Sequence, residues 1–320
     1  MVTPLVAPLA ADTRWRQRTR NSLLFLAAAD AVAAPLSGGR LPDAATVDVL
    51  MQSPPQPLLL SPGVTQAVVL AEHLAQRQGG LDEDELAVGL ARQWTIDGRD
   101  ASTGTGKVLS AIDSGTPWWE CAPAPHGRRG SYGNGAAMRA AAVGLLPRMG
   151  VGIIAQLARR SATVTHTHPL ARDGAAIQAM AVALAAHGHP SPALDTARFI
   201  ATISSHVRTP EMRASLGIVR TLVRHRAGPV EVAATVGSDH TALRSVPAAL
   251  AAFLRYPDDP WAVVRFALLM GGQTRAIAAM AAAMAGARCP QYVMPANWRP
   301  DLAHTIRLRT AAAALADLDQ

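Results

Sequence analysis

From Thr65 to the C-terminus the apolar residues of this chain return at helical spacing almost without a break, and strict period-two alternation never lasts a useful length. Aromatic residues make up only 4%, and β-branched runs that would fill a pleated surface are scarce. Helix boundaries follow the same pattern. Asp259-Pro260 sets an N-cap before a first-turn proline, Thr209-Pro210-Glu211 repeats the device with an acid, and Val246, Leu250, Phe253 and Leu254 share one face. Leu23 to Ala34 reads as a buried helix. The pattern predicts an all-α protein of about a dozen helices in a single compact domain. Residues 21–318 form that domain, after a Pro- and Arg-rich lead-in at residues 1–20, and no fixed-period repeat divides it.

Composition excludes several classes. With 49% hydrophobic and 17% charged residues among 320, the chain can fill one large core and is not a disordered polymer. No apolar run approaches the ~18 residues that cross a bilayer. Cys121 and Cys289 are too few for a disulfide-stapled fold, and the N-terminal stretch lacks the basic-then-apolar order of a secretory leader, so a cytoplasmic location is expected. A net charge of +7 and a pI near 10.5 would ordinarily point to nucleic acid or anionic membrane. Here Lys107 is the only lysine and Asn21, Asn134 and Asn297 the only asparagines, a bias typical of a GC-rich bacterial genome that inflates arginine. Arg14, Arg16, Arg18 and Arg20 beside Trp15 read as a solvated first turn. Neither a membrane nor a nucleic-acid partner is expected.

Against this alanine-rich background, Gly130-Ser131-Tyr132-Gly133-Asn134-Gly135-Ala136-Ala137-Met138-Arg139 stands apart. Glycines let a backbone approach a ligand and turn its amides outward, and a helix N-terminus near Ala136 would add a positive dipole end, which together suit a phosphate or diphosphate. The same residues also fit a tight loop that simply needs positive φ before a helix. Both readings stand at this point.

The run closely resembles the diphosphate loop of the ADP-ribosylglycohydrolases, also known as dinitrogenase-reductase-activating glycohydrolase-like proteins, and other stations follow in that family's order. Ala29-Asp30-Ala31-Val32-Ala33-Ala34-Pro35-Leu36 is similar to an early G-D-A-x-G-A-P-x-E helix, Ser102-Thr103-Gly104-Thr105-Gly106 to a Gly/Thr turn, and Thr165-His166 with Pro169 to a T-H-x-x-P step. Ser245 to Leu250, Gly271 to Ala279, Pro295 and Trp298 complete the series, which spans roughly residues 18–317. The resemblance implies a helical cleft that in active members holds ADP-ribose against two magnesium ions bound by early T-D-D-T and late G-G-D-T-D-T carboxylates.

This sequence departs at those positions. Gly63 and Val64 stand where the paired aspartates belong, Gln273 and Arg275 replace the two late aspartates, Ala276 the last threonine, and Ser37 the first helix's glutamate. Asp30 is the one aligned acid that remains. Four aspartates and two Mg²⁺ sum to zero charge, whereas Gly63, Val64, Gln273 and Arg275 sum to plus one, so the altered site is roughly balanced without metal. No metal and no cofactor are expected. Arg275 is expected to lie where a cation once lay and to pair with Asp30 or a ligand oxygen.

The ligand set implied by the resemblance is Gly130, Ser131, Tyr132, Gly133, Asn134, Gly135, His166 and Gln273, with a loop that exposes its amides and a Gly135 that needs positive φ or close ligand approach. A hydrogen-bonded loop histidine is an equally good reading of His166. Thr165-His166-Thr167-His168 and His187-Gly188-His189 match no common zinc spacing. Trp118-Trp119 reads as a packing pair, Cys121 as structural, and Gly104-Thr105-Gly106-Lys107 is too short for a P-loop. The favoured function is a binding protein or pseudoenzyme for ADP-ribose or a related nucleotide-like small molecule. The alternative is a metal-independent enzyme of specialised metabolism acting on a glycosidic or nucleotide-like substrate, with Asp30 as acid or base and Arg275 stabilising developing negative charge. A lone acid lacks the carboxylate pair most glycosidases use.

Overall fold

A computed structural model describes residues 11–38, 41–97, 104–188 and 193–319. The chain is all-α: among the described residues there is no strand, only an isolated antiparallel bridge between Gly133 and Thr241. No helix among them is long and apolar enough to cross a membrane. The helices outnumber the expected dozen because residues 118–144 fold as four short pieces, Trp118–Cys121, Pro125–Arg128, Gly135–Arg139 and Ala141–Gly144.

The first helix runs Ala11–Val32, so it starts well before the boundary expected at residue 20; residues 1–10 lie outside the described part. The arginine cluster explains the difference, because it is not simply solvated. Arg18 turns inward and its Nη1 donates to the carbonyls of Ala185 (3.3 Å), Ala287 (2.8 Å) and Arg288 (3.2 Å). Those oxygens close the helices Pro169–His187 and Thr274–Arg288, whose last turns lack intrahelical donors. Arg16 pairs with Asp317 at 2.7 Å.

Ala11–Val32 packs along Thr274–Arg288, and Pro169–His187 lies against the latter. All three helices bury nearly every face, which their small side chains permit: Ala27, Ala28 and Ala29 on one, Ala278 to Ala283 on another. Small residues bring helix axes close enough for Ser22 Oγ to donate to the Ala283 carbonyl at 2.8 Å.

Asp259 caps Pro260–Leu269 as its sequence suggests, accepting from the Ala262 amide at 3.0 Å. Thr209 precedes Pro210–Arg224, but its hydroxyl does not cap; it donates to Asp173 Oδ2 at 2.8 Å. The buried Asp173 also accepts from Arg159 Nε (2.9 Å) and Nη2 (2.7 Å) and from the Arg208 (2.9 Å) and Thr209 (2.6 Å) amides. Burial pushes this carboxyl up, yet the Thr209 amide and the Arg159 guanidinium outweigh it and hold Asp173 below the usual carboxylate range.

Candidate functional site

The segment before Gly135–Arg139 is held from both sides. Asn134 N donates to the His240 carbonyl (3.0 Å), Asn134 Nδ2 to Ser245 Oγ (3.1 Å), and Ala242 N to the Tyr132 carbonyl (2.9 Å), tying the loop to the start of helix Ala242–Arg255. Gly130 N donates to the carbonyls of Pro123 (3.1 Å) and Pro125 (3.0 Å), and Gly133 N to Ser131 Oγ (3.3 Å). The loop therefore spends three amides inside the protein instead of presenting them outward. The helix that follows has five residues, too few for the dipole that the sequence suggested.

Two further expectations need correction. Gly130 has φ +77° but does not line the cleft: it packs under Thr167, where a Cβ would overlap the Thr167 hydroxyl and stand 2.9 Å from the His168 amide nitrogen. Gly135 is not in the left-handed region; it opens the helix, and an added Cβ would meet only His166 at 3.5 Å.

The remaining predicted residues converge. Ser131, Tyr132, Gly133, Asn134, Gly135, His166, Gln273 and Arg275 line one cavity of about 470 Å³, with Gly63, Gln66 and Met138 on the same wall. Sequence reasoning missed Trp94, His126 and His240, which line it too. His126, at φ +55°, lies against the Tyr132 ring at 4.3 Å between centroids, and His168 and His240 approach the same ring at 5.9 and 6.1 Å. No local sequence pattern marks this grouping, which forms only through tertiary folding. Of the Gly/Thr turn, Gly104 and Thr105 line the cavity, while Ser102 and Thr103 lie outside the described residues.

Arg275, in the first turn of Thr274–Arg288, faces Asp30 near the end of Ala11–Val32. Its Nε donates to Asp30 Oδ1 (3.2 Å), and its Nη2 to Asp30 Oδ2 (2.7 Å) and to the Leu59 carbonyl (2.7 Å). The Ser61 amide adds a 2.7 Å bond to Asp30 Oδ2. Asp30 is fully buried and does not line the cavity, whereas the guanidinium is 25% exposed and does. Nη1 carries none of these bonds.

Under the loop lies His166, 1% exposed, with Nδ1 2.7 Å from Thr165 Oγ1. Burial, aided by the Arg139 cation, pushes this imidazole down to about 3, so it is neutral. Below its ordinary 6.5 the unfolded chain takes up a proton that the folded state refuses. This histidine therefore contributes stability that is complete above pH 6.5 and drains away as pH falls toward 3. The expected slope is about 1.4 kcal/mol per pH unit within that window. Urea midpoints against pH check it, since His166→Gln should flatten the curve by that amount.

The other singled-out residues lie apart or play structural parts. His168 caps Pro169–His187 and His187 stacks on Trp15 at 4.7 Å, while His189 is outside the described residues. Among the described residues no three His, Cys, Asp or Glu gather into a metal-holding group. Trp118 and Trp119 meet edge to face at 5.8 Å, and Trp118 Nε1 donates to Asp84 at 2.7 Å. Cys121 is buried, which pushes its thiol up and away from reactivity. Lys107 sits inside helix Gly104–Asp113, not on a phosphate-binding turn.

Comparison with known proteins adds a family. The family model described as ADP-ribosylglycohydrolase matches residues 11–320. The chain is similar to the ADP-ribosylhydrolase ARH3 of Xenopus tropicalis, 31% identical over 201 residues that cover 53% of this chain and 56% of that protein. The human ARH3 is likewise 31% identical, over 210 residues covering 57% and 56%. The match thus spans little more than half the length of these relatives. An uncharacterized protein of Escherichia coli (strain K12), YegU, is 29% identical over 237 residues, 70% of this chain and 69% of its own. Among solved structures, a chain from an ADP-ribosylglycohydrolase-related protein complex shares the fold with a TM-score of 0.70 at 22% identity, covering 96% of this chain and 100% of that one.

Proposed function

Since this chain belongs to the ADP-ribosylglycohydrolase family, we propose that it holds ADP-ribose or a related nucleotide in the cleft beside Arg275 without magnesium, as a binding protein in place of a metal-dependent hydrolase. The observation that carries this reading is the Arg275–Asp30 pair at the wall of the cavity lined by Ser131 to Gly135. The one acid aligned with a metal site is already neutralised by a guanidinium, which leaves N–H groups toward the cleft for an anionic ligand.

The donor set does not fit a magnesium pair. Hard Mg²⁺ needs several oxygen ligands in near-octahedral array. Val64 is fully buried in the core, and the Met138 thioether occupies the space into which a Cβ on Gly63 would project, 2.6 Å away. Gln273 brings no charge and Arg275 brings the wrong sign. The enzymatic alternative loses ground for a related reason: both oxygens of Asp30 are engaged by Arg275 and the Ser61 amide, out of reach of a substrate in the cavity.

The test is a thermal and calorimetric titration with ADP-ribose, ADP and NAD, in chelator and in excess Mg²⁺. With ligand at a hundredfold its dissociation constant, linkage predicts about 2.7 kcal/mol of added stability. In a chain of this length that is a melting shift of roughly 5 °C, equal with and without the ion. Release of ADP-ribose from modified arginine or serine should be undetectable in either buffer. Stoichiometric Mg²⁺ uptake, chelator-sensitive hydrolysis, or the absence of any shift in the folded protein overturns the proposal.

A further inference from the structure

With three of the six loop amides turned inward, an oxygen-rich ligand in the cleft also depends on side chains, and two of these are oriented by a residue that does not line the cavity. Arg139 is fully buried, and its hydrogen-bond partners among the described residues are all neutral. Its Nη1 donates to Gln66 Oε1 (3.0 Å) and its Nη2 to Thr165 Oγ1 (2.7 Å) and the Ser161 carbonyl (2.8 Å). A guanidinium only donates, so it fixes which end of Gln66 faces it. The carboxamide oxygen points to Arg139, and the NH₂ is left for the cleft that Gln66 lines.

The same logic sets the histidine proton. Thr165 Oγ1 already accepts from Arg139 and lies 2.7 Å from His166 Nδ1. If the hydroxyl donates to Nδ1, the Thr165 hydroxyl and the His166 Nδ1 are both satisfied. The reverse would leave a buried hydroxyl hydrogen without an acceptor among the described residues, which costs about 1–3 kcal/mol. Nδ1 is then the acceptor and Nε2 carries the proton. A Cβ on Gly135 would stand 3.5 Å from Nε2, and one on Gly133 3.7 Å, so the loop glycines place no side chain over this nitrogen, which belongs to a residue that lines the cavity.

We infer that Arg139, acting through Thr165 and Gln66, is a positioning residue that makes this floor of the cleft a donor pair, His166 Nε2–H and the Gln66 NH₂, for an acceptor-only group such as a phosphate or diphosphate oxygen. The inference rests on the ADP-ribose reading for the identity of the ligand but not for the placement of the protons. An anionic oxygen satisfies both donors and lies on the side of a buried positive charge, where weak screening strengthens the attraction.

Two measurements test it, with ADP-ribose and inorganic pyrophosphate as probes. In the ¹⁵N-labelled protein, His166 should show a protonated Nε2 and an unprotonated Nδ1, unchanged from about pH 5 to 8. Thr165→Val should mix the tautomers and weaken both probes about tenfold, and Thr165→Ser should restore both readouts. Gln66→Glu gives Arg139 a carboxylate partner, so the fold should melt no lower than wild type. It also replaces a donor with a like charge, so binding should fall about a hundredfold or more. That split between stability and binding would not arise if Arg139 served the fold alone. A wild-type His166 protonated on Nδ1, or a folded Gln66→Glu variant that binds as tightly as wild type, overturns the inference. Wild-type protein that binds neither probe overturns the ADP-ribose reading, while the tautomer still decides this one.

Discussion

Replacing Arg275 with alanine is expected to destabilise the protein by about 3 kcal/mol, because a buried carboxylate loses the partner that neutralises it. Asp30 is 0% exposed and would keep only the Ser61 amide among its present partners. The partial exposure of Arg275 lets water enter the vacated space, which places the loss at the low end of the ~3–5 kcal/mol seen for broken buried pairs. In a chain of this size the melting point should drop by roughly 5 °C. Arg275→Lys should recover only part of this, since one ammonium cannot span both Asp30 oxygens and the Leu59 carbonyl. The diagnostic variant is the double substitution of Asp30→Asn with Arg275→Ala. Removing the stranded charge should return stability toward wild type, and a double variant less stable than Arg275→Ala would show that the pair is not what matters. Ligand binding should stay impaired in every variant that lacks the guanidinium.

Gly130→Ala should have a comparable effect on stability and a larger one on the site. At φ +77° an alanine carries backbone strain of about 1–3 kcal/mol, and its methyl would overlap the Thr167 hydroxyl next to the fixed His168 amide, adding about 1–3 kcal/mol of overpacking. The loop can relieve this only by moving away from the start of Pro169–His187. That motion would shift Ser131 and Tyr132 out of the cavity wall. Denaturant midpoints and ADP-ribose titration should both fall, with binding lost even at temperatures where the variant is fully folded. Gly135→Ala is the contrasting control. Its φ is ordinary and the added methyl meets His166 at a normal contact distance, so stability should hold within about 1 kcal/mol.

Much of the architecture was legible because helices declare themselves locally. The cap at Asp259-Pro260 is a contact between neighbours in sequence, and the structure realises it directly. Arg18 was misread for the opposite reason: its partners lie 167 to 270 residues away, and no local pattern marks a guanidinium that closes two distant helix ends. Thr209 shows both effects at once, occupying the cap position while giving its hydroxyl to Asp173. In the cleft, three glycines clustered around one of only three asparagines stood out, and Arg275 did so by the charge it replaced. The inward turn of the loop amides did not, because a run of glycines specifies freedom of the backbone and not the direction in which it is used. His126 and His240 reach Tyr132 only through tertiary folding, which composition cannot anticipate.

The ion pair at the cleft also sets a timetable for synthesis. Asp30 and Arg275 are 245 residues apart in the chain, one on the first helix and the other on the long helix that packs along it. At about 5–20 residues per second, the ribosome delivers the second roughly 10–50 s after the first. During that interval the apolar face of Ala11–Val32, with Leu23, Phe25 and Leu26, has no native partner in Thr274–Arg288. The cleft is therefore among the last parts of the molecule that can close, and a nascent chain truncated before Arg275 should hold Asp30 without its countercharge. Such intermediates are natural clients for holdase chaperones, which makes the yield of folded protein more sensitive to translation rate and temperature than its final stability alone would suggest.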